Sequence, residues 1–168
     1  MSILKKLFIL ISLPIGLFAL YAITCIVYAK ITYYNPATIE TIQQEKTTPL
    51  QQDSFNILIW NIGYAGLGAE TDFFYDGGTM MRPEKAWFDK YLAGIEQTLS
   101  RHQQDFYLLQ EVDQDARRSY HIDQTKILFQ FNPSLHPYFA LNYKVNYIPM
   151  PWTNPMGSVA AGLLTAST

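Results

Sequence analysis

Residues 7–29 contain no charged side chain, and this stretch governs how the rest of the chain can be read. Within it, LFILISLPIGLFALYAITCIVY (residues 7–28) is long enough to cross a hydrocarbon layer of roughly 30 Å as a helix. Pro14 and Gly16 would weaken a soluble helix but are tolerated in a membrane-spanning one. Lys5 and Lys6 precede the segment, and Tyr28, Tyr33 and Tyr34 follow it where an interface is expected. By the positive-inside rule the N-terminus stays cytoplasmic and the remainder of the chain lies outside the cytoplasm. A cleaved signal peptide is the competing expectation for residues 1–30, with Val27-Tyr28-Ala29 as a cleavage site. The apolar run exceeds the roughly 7–15 residues of such peptides, which favours an uncleaved anchor.

Setting the anchor aside explains the composition. Charged residues make up only 15% of the chain, against roughly 25% in soluble domains, and the deficit sits at the N-terminal end. Residues 31–168 are enough for one domain. Lys5, Lys6 and Lys30 belong to the anchor and its flanks, which leaves nine basic against fourteen acidic residues. Non-specific nucleic-acid binding needs a basic footprint to neutralise phosphates, and none is visible. An enzyme that handles phosphate through a bound cation can still be acidic, because the ion supplies the positive charge. Cys25, the single cysteine, lies in the apolar segment, so neither an internal disulfide nor a cysteine metal site is expected.

Residues 31–53 read as a polar linker, with Pro36, Pro49 and a Gln/Thr/Glu-rich run. Residues 55–62 (FNILIWNI) predict a strand apolar on both faces, as for an inner strand covered on two sides. Residues 83–101 predict a helix: Trp87, Tyr91, Ile95 and Leu99 recur every four positions, with Phe88 and Leu92 beside them. Residues 106–109 predict a short buried strand running into Gln110-Glu111. A second helix is expected over 117–131, and strands over 138–145 and 160–165. Alternating strands and helices make the fold α/β.

Two polar residues stand where strands run out. Asn61 ends the first strand on the face of Phe55, Ile57 and Ile59, and Glu111 ends the second. An amide oxygen and a carboxylate are hard ligands suited to Mg²⁺ or Ca²⁺ and poor for soft metals, although each is also an ordinary strand-end residue. His121 could reach a phosphate or serve as a half-exposed structural histidine. Asn154 could line a cleft mouth or shape a turn, and Asp76-Gly77-Gly78 could be a mobile rim or a turn. His102 is expected to cap the long helix, and His136 has no partner by spacing. Gly63, Gly66 and Gly68 do not form a dinucleotide fingerprint.

FNILIWNIGYAGLG followed by DFYLLQEVD resembles the opening half of the endonuclease/exonuclease/phosphatase family. DFFYDGGTMMRP, RRSYHIDQ and NPMGSVAAGLLTAST resemble a membrane-anchored bacterial branch of it. The resemblance implies a two-sheet α/β sandwich of which residues 54–168 are the N-terminal half. It implies that Glu111 is the principal metal ligand and Asn61 a second, that the metal is Mg²⁺ (or Mn²⁺ or Ca²⁺), and that Arg118 steadies the phosphate. A solvated arginine beside Arg117 is the alternative for Arg118. The family's later Asp-x-Asn and Asp-His elements have no counterpart in residues 112–168, so the sequence reads as a truncated domain, inactive by itself, with an apolar sheet face left for a missing C-terminal half or a protein partner. The expected function is metal-dependent hydrolysis of a phosphate ester, whether nucleic acid, lipid headgroup or small molecule. The alternative is a non-catalytic envelope protein that binds a partner through its α/β module.

Overall fold

The computed structural model describes residues 2–40 and 53–167 and divides into two compact units. Residues 41–52, the centre of the expected linker, lie outside the described residues. The first unit is a helix, α1 (Ile3–Ile31), which carries Pro14 internally and buries none of its residues. At 1.5 Å per residue it is about 44 Å long, long and apolar enough to cross a membrane. Thr32 closes its end, with both its backbone N–H and its hydroxyl donating to the Tyr28 carbonyl.

The second unit is a mixed α/β domain around one four-stranded sheet. In chain order its elements are β1 (Ile57–Asn61), α2 (Lys85–Arg101), β2 (Phe106–Ala116), β3 (His136–Ile148) and β4 (Gly157–Ser167). The sheet order is β1-β2-β4-β3. β1 and β2 are parallel, with Asn61 opposite Gln110, as a strand–helix–strand crossover requires. β2 with β4 and β3 with β4 are antiparallel.

The helix begins two residues later than expected, after Glu84. It buries Phe88, Leu92, Ile95 and Leu99 rather than the full four-residue row. Trp87 and Tyr91 lie at the edge of that face. Their rings stack 6.1 Å apart, and the Tyr91 hydroxyl donates to the Glu70 carboxylate. Gly68 accommodates this tyrosine, since a Cβ there would sit 2.1 Å from the ring. The main core lies between α2 and the sheet, where Tyr107, Leu109, Val112 and Leu164 meet Leu128, Phe129 and Leu135. A second cluster joins Phe73 and Met81 to Ile148, Met156 and Val159.

Three expectations need correction. β1 is an edge strand with an open face: Ile57 is 51% and Ile59 66% exposed. Only Leu58 and Trp60 pack against the core, so among the described residues β1 is covered on one face and not on two. Next, β2 continues past Glu111 to Ala116 instead of ending at Glu111. Finally, residues 117–131 form no α-helix. They make two short 3₁₀ turns, Arg117–Ser119 and Gln124–Lys126, separated by Tyr120 and His121 at φ of 57° and 58°. Side-chain bonding defeats the helix here. Asp123 accepts from the Thr125 N–H, a local bond that competes with helical pairing, and Gln124 is drawn into the core by partners 11 and 60 residues away.

Candidate functional site

Two irregularities in the sheet converge on one glycine. Between the pairs Leu109–Leu164 and Val112–Gly162, β2 carries two residues, Gln110 and Glu111, against only Leu163 on β4. This is a bulge, and Glu111 takes the left-handed conformation within it, φ 56°. On the other side of β4, between the pairs Leu141–Gly162 and Tyr143–Ala161, Asn142 is the extra residue of β3. Gly162 lies between the two bulges. A Cβ there would stand 2.1 Å from the Ala140 carbonyl oxygen, so the strands approach this closely only with glycine.

The turn after β1 completes the frame. Asn61 Oδ1 accepts from the Gly63 N–H at 2.9 Å, and the Ile62 N–H donates to the Gln110 carbonyl at 3.0 Å. Gly63, Tyr64 and Ala65 then all have φ between 54° and 56°. Such a run is costly for the tyrosine and alanine, and side chains hold it. Gln124 Nε2 donates to the Tyr64 carbonyl at 2.7 Å, while its Oε1 accepts from the Asp113 N–H at 2.9 Å.

Arg118 also belongs to this framework. Its Nε and Nη2 donate to both oxygens of Asp113 at 3.0 and 2.9 Å, and its guanidinium carbon lies 3.2 Å from the Tyr64 ring centre. Asp113 is fully buried and Arg118 is 7% exposed, which excludes a solvated arginine. Burial pushes the Asp113 carboxyl above its usual range, and the Arg118 pairing opposes this. The Tyr64 phenol is also pushed up, by burial first, with Arg118 opposing and with Glu111 and Asp113 adding to it. It therefore remains a neutral hydroxyl at physiological pH.

Glu111 stands on the walls of three cavities. One, of about 370 Å³, brings together Asn61, Gln110, Glu111, Asn142, Tyr64 and Tyr143 around Gly162. A second, of about 300 Å³, is shared by Glu111, Arg118 and the residue 73–76 loop. The third, of about 640 Å³, lies between Asn61, Glu111 and α2. Asn61 and Glu111 thus meet in two cavities. No family model, curated protein or solved structure matches the chain.

The remaining expected residues lie elsewhere. His121 Nδ1 pairs with Asp115 Oδ1 at 2.6 Å, both side chains more than half exposed, and it lines none of the three Glu111 cavities. Asn154 Oδ1 accepts from Arg117 Nη2 at 3.0 Å, and Arg117 Nη1 donates to the Pro155 carbonyl, which ties the residue 149–156 loop to the end of β2. His102 ends α2 through its backbone N–H, and its carbonyl accepts from the Tyr107 hydroxyl at 3.1 Å. Asp76-Gly77-Gly78 is a turn in a knit loop rather than a loose rim. Gly78 and Met80 N–H donate to the Phe73 and Asp72 carbonyls, and Asp72 Oδ2 accepts from the Thr79 N–H.

Sequence reasoning missed Asn142, Tyr64 and Tyr143. The visible sign was Gly162 in the interior of a strand, a mark of close backbone approach. Among the described residues no three His, Cys, Asp or Glu side chains cluster as a metal cage. The donors around Gly162 are one carboxylate and three amide side chains. This set suits a hard divalent ion that keeps several of its waters and does not suit a soft metal.

Proposed function

We propose that the second unit is the metal-bearing half of a phosphate-ester hydrolase, with Glu111 as the principal ligand of a divalent cation. The observation that carries this reading is Glu111 itself. Its backbone is held in a conformation that costs a non-glycine residue about 1–2 kcal/mol, and its carboxylate has no hydrogen-bond partner among the described residues. Strain retained at an unpartnered acid beside amide oxygens is a pattern of functional sites.

In this reading Glu111, Asn61 and Asn142 hold the ion, Mg²⁺ or Mn²⁺. When bound, the ion polarises a phosphoryl oxygen and offsets developing negative charge. Asn61 is positioned through the Gly63 N–H bond to its Oδ1. Tyr64 keeps its proton and can donate a hydrogen bond, and Arg118 supplies a fixed positive charge while Asp113 occupies its Nε and Nη2. A nucleic acid, a lipid headgroup or a small ester are all compatible with this chemistry. The open sheet face of Ile57, Ile59 and Leu163 supports a family-type sandwich in which a second sheet covers it, and Lys5 and Lys6 in the first turn of α1, ahead of its uncharged run, support a body facing outside the cytoplasm. Protease added to intact cells should then digest the body; protection would reverse the orientation.

Melting of the full chain in a maltoside detergent, with and without Mn²⁺, tests the metal site. The ion should raise the Tm in a concentration-dependent manner, and Glu111→Gln should abolish the rise. An equal shift in that variant, or none in the wild type, refutes the reading. Indifference to metal would favour the second reading, a non-catalytic envelope protein that docks through the same open face.

A further inference from the structure

We propose that Gln124 is a positioning residue of the metal site, whose buried amide fixes the spacing between the two chain segments that carry Asn61 and Glu111. The inference rests on the metal reading above and adds to it a residue that does not touch the ion. Gln124 is fully buried and lines none of the three Glu111 cavities. Its Nε2 donates to the carbonyl of Tyr64, three residues after Asn61, and its Oε1 accepts from the N–H of Asp113, two residues after Glu111. One planar group therefore spans both ligand-bearing segments. Arg118 joins the same two residues a second time, through the Asp113 carboxylate and the Tyr64 ring. The result is a closed circuit in which Gln124 ties backbone to backbone and Arg118 ties side chain to side chain. Of the two bridges, Arg118 lines a Glu111 cavity and Gln124 does not, so any effect of Gln124 on the ion has to pass through position.

Both segments need such a tie. Gly63, Tyr64 and Ala65 are left-handed in succession, a run that residues with a Cβ leave when nothing opposes it. The Gly63 N–H that orients the Asn61 amide belongs to this turn, so a relaxed Tyr64 would release Asn61. On the other side, Asp113 lies between two irregularities in the pairing of β2 with β4, one between Leu109 and Val112 and one between Asp113 and Asp115. A bulge disrupts the ladder that would otherwise set the strand's position, and Gln124 adds a bond to it from outside the sheet. An amide suits both ends because it carries donor and acceptor in one group, and neither bond brings a charge that would compete with the cation. Groups that orient metal ligands from behind govern affinity without entering the coordination shell.

Calorimetric titration of the full chain in maltoside with Mn²⁺, below the melting range of each variant, tests the role. Gln124→Met keeps the length of the side chain and loses both bonds, and it should bind Mn²⁺ about tenfold more weakly than the wild type. Gln124→Asn, one methylene shorter, stays polar but cannot span both partners, so it should weaken binding as well and serves where the methionine variant fails to fold. Leu135→Ala is the comparison. Leu135 is a buried core residue that lines none of the Glu111 cavities, so its truncation should lower the Tm through a core cavity and leave the Mn²⁺ Kd unchanged. An unchanged Kd in a folded Gln124 variant overturns the positioning role. So does an equal loss of affinity in Leu135→Ala, which would trace the effect to stability alone. Either result, with Mn²⁺ still bound by the wild type, leaves the hydrolase reading standing. A wild type that takes up no Mn²⁺ refutes that reading and the positioning role with it.

Discussion

Replacing Glu111 separates a backbone effect from a charge effect. At φ 56° the residue sits where a Cβ costs about 1–2 kcal/mol. Glycine removes that cost and adds roughly 0.5–1 kcal/mol of unfolded-state entropy. The side chain is only partly buried and makes no hydrogen bond among the described residues, so its deletion forfeits little packing. Glu111→Gly should therefore be more stable than the wild type by about 0.5–1 kcal/mol. Glu111→Ala keeps the Cβ and loses the acid, so it should lie near the wild type and about 1 kcal/mol below the glycine variant. For a unit of this size that gap is about 4 °C in Tm. Urea unfolding of the two variants, followed by circular dichroism, gives the comparison directly. An alanine variant as stable as the glycine one would mean that residue 111 is not held left-handed. The bulge argument for a strained, unpartnered acid would then collapse. Neither variant should show the Mn²⁺ response of the wild type.

Arg118→Leu should cost about 3–5 kcal/mol, because it strands the buried Asp113 without its bidentate partner. Adding Asp113→Asn should recover more than half, and a double variant no better than the single one in urea melts would show that the pair does not couple. Gly162→Ala should cost about 3 kcal/mol, since its Cβ meets the Ala140 carbonyl at 2.1 Å; an unchanged urea midpoint would refute that close approach. Asp123 has its carboxyl held below the usual range. Burial opposes this, but the Thr125 bonds and Lys126 outweigh it. Its contribution is thus present above the unfolded-state pKa near 3.8 and lost as pH falls through the lower folded value. The Tm gap between the wild type and Asp123→Asn should be open at pH 6 and close towards pH 2; a gap independent of pH would show that the carboxylate charge plays no part.

Periodic features were legible in the sequence. The uncharged run gave α1. Alternation placed Asn61 on the face of Ile57 and Ile59, where the burial pattern of β1 has it. The four-residue row located α2 to within two residues. The expected helix over 117–131 failed because its apolar spacing is real while its bonding is not local: Leu128 and Phe129 are buried, as a helix would bury them, but Gln124, Asp123 and Arg118 spend their polar groups on turns and on distant strands. Polar side chains that reach across the fold leave no trace in periodicity.

The site shows why spacing alone could not assemble it. Strand alternation assigns each residue to a face by counting in twos, and a single extra residue reverses the count. Glu111 and Asn142 are themselves the extra residues, so counting along β2 or β3 misplaces them. Both bulges flank Gly162, where the lack of a side chain leaves room and allows the β3 backbone to come close. The cavity that unites Asn61, Glu111 and Asn142 depends on that one position. Gly162→Ala should therefore remove the metal response of the wild type even in whatever fraction of the protein stays folded. A folded Gly162→Ala protein with an unchanged Mn²⁺ shift would dissociate the metal site from the bulges and leave Glu111 acting through a different set of neighbours.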